Sequence, residues 1–225
     1  MKDRKLKISL VLNIIIVLFT TIAIILMFTG FRFTNGEEPV LETTKLGIFK
    51  FFTVDSNLLM GIVSLIFVIY EINILKNKKE SVPKNIYILK LMSTTAVTLT
   101  FVTVFLYLGP ISKGGIPSMI RNSNLFFHFL TPLLSIITFI FFEKTDKLKY
   151  RYSFWGLIPT LVYEIFYITN ILIHMENHMV SPTYDWYWFV QNGVWTAIIV
   201  APVIILVTYL ISFTLWKINK IKKAL

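Results

Sequence analysis

Four polar residues stand together in FFTVDSNLLMG: Thr53, Asp55, Ser56 and Asn57. The stretch lies inside a run otherwise apolar enough for a lipid bilayer. A threonine hydroxyl is a weak nucleophile until a neighbouring base takes its proton, and histidine is the usual base. His128 is the histidine set well within an apolar run. A threonine and a histidine brought together point to acyl transfer. Ser56, Asn57 and Asn124 are candidate donors to the oxyanion of a tetrahedral intermediate. Glu164 is the carboxylate expected to orient the His128 ring. Asp55 lies about 200° around the helix from Thr53 and faces elsewhere.

Such residues need elements to carry them. The chain has 225 residues and is 56% hydrophobic, richer than the ~45–50% of a soluble domain. Its apolar runs cross a ~30 Å hydrocarbon core as helices, the form in which every backbone polar group is satisfied internally. The expected fold is all-α, a single integral membrane bundle over 1–225. Its six spans lie near 8–30, 46–72, 86–109, 122–142, 152–174 and 187–216. The first run is too long for a signal peptide, and bulky MFTGFRF offers no cleavage site.

The net charge of +10 is not a nucleic-acid signature, because of where it sits. Lysines and arginines gather before span one, between spans two and three, between spans four and five, and after span six. The other loops mix Arg32, Lys45, Lys113 and Arg121 with Glu37, Glu38, Glu42, Glu176 and Asp185. This asymmetry predicts cytoplasmic N- and C-termini and a place in the cell membrane. With no cysteine, thiolate metal sites and a cysteine nucleophile are excluded.

Polar stripes recur at helical spacing on four consecutive spans. Span two carries Thr53, Ser56, Asn57, Met60, Gly61 and Ser64; span four carries Arg121, Asn124, His128, Thr131 and Ser135. Span three carries Ser93, Ala96, Thr100, Thr103 and Tyr107, and its hydroxyls are read as helix-packing groups. Span five carries Thr160, Tyr163, Glu164, Tyr167, Asn170 and His174. Spans one and six read as apolar, apart from Gln191, Asn192 and Trp195. Thr53 and His128 each fall ~10 Å below the same boundary at ~1.5 Å per residue, and Glu164 ~15 Å below it. Pro132 removes the helical partner of the His128 carbonyl and predicts a kink there; Pro159 and Pro202 predict kinks too. Glu71 near its helix end is explained by snorkelling. HMENH sets His174 and His178 at i, i+4, a weak metal pair, and no cofactor or metal is expected. YDWYWF reads as an interfacial aromatic belt.

The phenylalanine-rich lead into FTVDSNLL, HFLTP followed by FFE, then FWGLIPTLVY and YDWYWFVQNG together resemble the androgen-induced-gene family of membrane threonine hydrolases, most closely its bacterial relatives. The likeness runs from span two to the start of span six. The resemblance implies that Thr53 and His128 hydrolyse fatty-acyl esters of hydroxy fatty acids, with a lipid ester as substrate. The DSN triplet after Thr53 departs from the animal enzymes. Two other readings stand beside it: a small proton-coupled transporter relaying through Asp55, His128 and Glu164, and a non-catalytic lipid-binding or assembly protein.

Overall fold

The computed structural model describes residues 2–34, 43–112, 114–176, 179–187, 190 and 194–221. Among them six helices are long and apolar enough to cross a membrane: Asp3–Thr29, Phe52–Leu75, Lys84–Ile111, Leu125–Phe142, Tyr150–Ile173 and Ile198–Lys220. No strand is found among the described residues. The protein is an all-α, six-helix, multi-pass membrane bundle. The third span is its hub: 56% of its most apolar window is buried, against 39% or less in every other span. It packs on the second, fourth, fifth and sixth spans, while the first lies chiefly along the second and fourth. The hub is also the span richest in buried hydroxyls, with Ser93, Thr94, Thr95, Thr98 and Thr100. Small residues let helix backbones approach closely, and packing in lipid depends on that approach.

The helix edges differ from the hydropathy reading where local chemistry intervenes. The second α-helix starts at Phe52 because Lys45–Lys50 forms a 3-10 turn and Phe51 is extended. The sixth helix covers Val194–Ile221, so Tyr187 precedes it. Residues Tyr184–Tyr187 are held in a turn instead. Asp185 is fully buried there, accepting from the Tyr167 hydroxyl and from the Val190 N–H.

The three expected proline kinks have different outcomes. Pro159 opens the α-helical part of span five after the 3-10 stretch Tyr150–Leu157. At a helix start its missing N–H costs nothing, so no kink is needed. Pro202 sits inside an unbroken helix. Around Pro132 the backbone widens. Leu125–Leu130 is a π-helix, Thr131–Ile137 is α, and Thr138–Phe142 is π again.

The outer spans are less plain than their hydropathy suggests. Ser9, Asn13 and Thr20 of the first span are buried, as are Thr208, Ser212 and Asn219 of the sixth. Ser212 donates to the Ser153 carbonyl at 2.6 Å. Asn219 donates to the carbonyls of Phe139 and Glu143 at 2.6 and 3.1 Å. These groups face the bundle, where they cap the loosened backbone of the neighbouring π and 3-10 segments. Gln191 and Asn192 lie outside the described residues, and the Trp195 side chain is likewise undescribed.

Candidate functional site

Thr53 stands in the first turn of the second helix, half-buried. Its carbonyl accepts from Ser56 Oγ at 3.1 Å and from Asn57 Nδ2 at 2.8 Å. Short polar side chains commonly bond back to the preceding turn in this way. Ser56 and Asn57 are therefore engaged with backbone, not held free to receive an oxyanion. None of the hydrogen bonds among the described residues uses the Thr53 hydroxyl. The helix start beneath it is fixed from outside, where the Phe52 N–H donates to the Tyr187 hydroxyl at 3.1 Å. Burial pushes that phenol up to about 12, so it stays neutral.

His128 lies in the Leu125–Leu130 π-helix and is 9% exposed. Its Nδ1 is 2.6 Å from the Met119 carbonyl. A carbonyl can only accept, so Nδ1 carries the proton and Nε2 of the neutral ring is left as the acceptor. The expected orienters are thus replaced. Neither Glu164 nor Asn124 bonds the ring; a backbone carbonyl from the Gly115–Met119 turn does. Glu164 is buried, and its Oε1 has no hydrogen-bond partner among the described residues. Asn124 immediately precedes the π-helix, and its N–H reaches the Arg121 carbonyl at 2.9 Å.

The π register explains how the two sides are joined. The Thr131 N–H reaches back to the Phe126 carbonyl. In the same register Pro132 would serve Phe127, but proline has no N–H. The orphaned Phe127 carbonyl is taken by Asn57 Nδ2 at 3.1 Å. One amide nitrogen therefore bonds the carbonyl of Thr53 and the carbonyl of the residue before His128. Val54 and Phe127, the chain neighbours of Thr53 and His128, are fully buried in one apolar cluster with Phe51, Tyr167 and Trp186. Thr53 and His128 do not hydrogen-bond each other in this state. They sit on neighbouring helices tied at one level.

The histidine pair of HMENH is not built as a helical face. The fifth helix ends at Ile173, and the Glu176 and Met179 backbones pair as an isolated antiparallel bridge. His174 Nδ1 is 2.8 Å from the Asn170 carbonyl, and the ring stacks on Tyr184 at 3.6 Å. His178 lies outside the described residues. No group of three or more metal-ligating side chains occurs among the described residues.

A second polar centre lies toward the lysine-rich end of the bundle, and sequence reasoning missed it. Lys90 is fully buried, 3.2 Å from Glu143 Oε1. Lys90 Nζ also donates to Asn13 Oδ1 at 2.6 Å and Ser64 Oγ at 3.0 Å. Asn13 Nδ2 donates to Glu143 Oε1 at 2.8 Å and meets Glu71 Oε2 at 3.4 Å. Glu71 is 2% exposed, so it does not snorkel to water. The available signal was a lysine two turns inside a span, opposite two acids near helix ends at the same level.

Compared with family models, with curated proteins and with solved structures, the chain matches none.

Proposed function

We propose that this protein is an intramembrane lipid-ester hydrolase with Thr53 as nucleophile and His128 as base. The observation that carries the reading is the Asn57 amide bonded to both the Thr53 and the Phe127 carbonyls. It keeps the Thr53 turn and the His128 turn side by side. The tautomer is the second support: with Nδ1–H on Met119, the free Nε2 is the form a general base needs.

In this reading Nε2 takes the proton from the Thr53 hydroxyl as Oγ1 attacks the ester carbonyl. The imidazolium then returns that proton to the leaving alcohol, and an acyl-threonine remains. Water, deprotonated by the same ring, attacks the acyl-threonine, and the ring returns that proton to Thr53 Oγ1 as the fatty acid leaves. The two side chains close on each other when substrate arrives, since catalytic contacts in free enzymes are often long. Asn57 is a positioning residue in this scheme and does not touch substrate.

A fluorophosphonate probe tests the proposal. The folded protein in vesicles takes up the probe on Thr53, as read by peptide mass spectrometry. Thr53→Ala and His128→Gln lose the label, by 10²-fold or more on the scale of general-base catalysis. Thr53→Ser keeps it. A folded wild type that never labels, or a label that survives in Thr53→Ala, overturns the reading.

A further inference from the structure

We infer that the Lys90–Glu143–Glu71 cluster is a binding site for one exchangeable proton, carried on Glu71 at neutral pH. The site is distinct from the Thr53–His128 region and stands whether or not that region is catalytic.

The argument begins with charge. One ammonium faces two carboxylates, all three nearly or fully out of water. A net charge buried at membrane depth is strongly disfavoured, so one acid must be neutral. Glu143 is the acid served as an anion. It receives Lys90 at 3.2 Å and Asn13 Nδ2 at 2.8 Å on one oxygen. Glu71 meets two neutral groups, the Ser9 hydroxyl and, at 3.4 Å, an amide already committed to Glu143, and no cation among the described residues bonds it directly. The proton therefore belongs on Glu71.

A second observation points the same way. Glu143 Oε2 is buried and accepts no hydrogen bond from the described residues. A carboxylate oxygen without a donor is costly, so the cluster holds too few donors for two carboxylates and favours holding a proton. Tyr87, on the third span, is the other titratable group close to both acids, and it also feels Asp146, beyond the fourth. The first span presents only neutral Ser9 and Asn13, and the sixth presents Asn219, bound to the Glu143 carbonyl. The exchange path is short: Glu71 lies one turn from the end of the second helix at Leu75.

Infrared difference spectra of the full-length protein in vesicles test this at neutral pH. Wild type minus Glu71→Gln gives the carbonyl stretch of a protonated acid, shifted in D2O and unaffected by replacing sodium with choline. Glu71→Gln, an isostere of the neutral acid, melts at the wild-type temperature. Raising pH lowers the melting temperature of wild type, because removing this proton leaves a net charge in the dry cluster. The variant lacks that decline. Carboxylate bands in the difference spectrum, an acid band removed by sodium, or a Glu71→Gln protein that fails to fold each overturn the inference.

Discussion

At the scale of single residues, Asn57 carries more of the architecture than either candidate catalytic group. Its amide nitrogen satisfies two carbonyls on different helices. Removing a buried partner costs about 1–3 kcal/mol, because the stranded acceptor keeps its desolvation penalty. Asn57→Ala should lower stability by that amount, measured by SDS or urea titration in mixed micelles. Its effect on probe labelling should exceed what the stability loss explains, since the two helices lose their shared tie. Lys90 shows the opposite kind of dependence. Lys90→Met strands Glu143 and should cost about 3–5 kcal/mol, whereas Lys90→Met with Glu143→Met removes both charges and should restore most of the loss. A double variant as unstable as the single one would contradict that account. Thr53 and His128 stood out in the sequence because polar residues in apolar runs are conspicuous. The true partner of the His128 ring did not, because Met119 contributes a backbone carbonyl, which no side-chain pattern records.

At the scale of elements, the fourth span is defined by its departures from α geometry. Two π segments flank Thr131–Ile137, and π turns gather at functional positions in helices. Pro132 is expected from sequence to free the His128 carbonyl. The widened register transfers that vacancy one residue back, to Phe127. Pro132→Ala restores an N–H that competes with Asn57 for the same acceptor. The cost of Asn57→Ala should therefore shrink in the Pro132→Ala background, a non-additivity that a double-mutant cycle reads directly. Simple addition would mean that the amide and the missing N–H serve different carbonyls. Gly156 plays a different part in the fifth span. A Cβ there would collide with the Ser212 side chain, approaching its Cβ to 2.6 Å, and would stand 2.9 Å from Thr95 Oγ1. Gly156→Ala should destabilise by about 1–3 kcal/mol by prising apart three spans, visible as a lower melting temperature. The number of spans was legible because hydropathy and length decide it. The π registers were not, because they follow from a proline acting together with a donor on another helix.

At the scale of the whole molecule, the bundle carries a polar cluster toward each end, and a small apolar cluster stands between them among the buried hydroxyls of the third span. Ile16, Met60 and Val97 form a fully buried cluster from the first three spans. It lies between the Thr53–Asn57 turn and the Lys90 cluster along the second and third helices. Helical spacing pointed to many of the buried polar groups, but Tyr107 of the third stripe is 62% exposed and Arg121 of the fourth precedes its span. The role of the first and sixth spans was not readable, because one asparagine in an apolar run leaves mean hydropathy nearly unchanged. Asn13 nevertheless touches Lys90, Glu143 and Glu71 together. The order of these groups along the chain bears on how the protein is made. When the third span leaves the ribosome, Asn13, Ser64 and Glu71 have already emerged and Glu143 has not. The nascent hairpin can neutralise its lysine against Glu71 alone, and synthesis of the fourth span then supplies the permanent counter-ion. Until the fourth span is made, Glu71 is the one acid of the finished cluster available to that lysine.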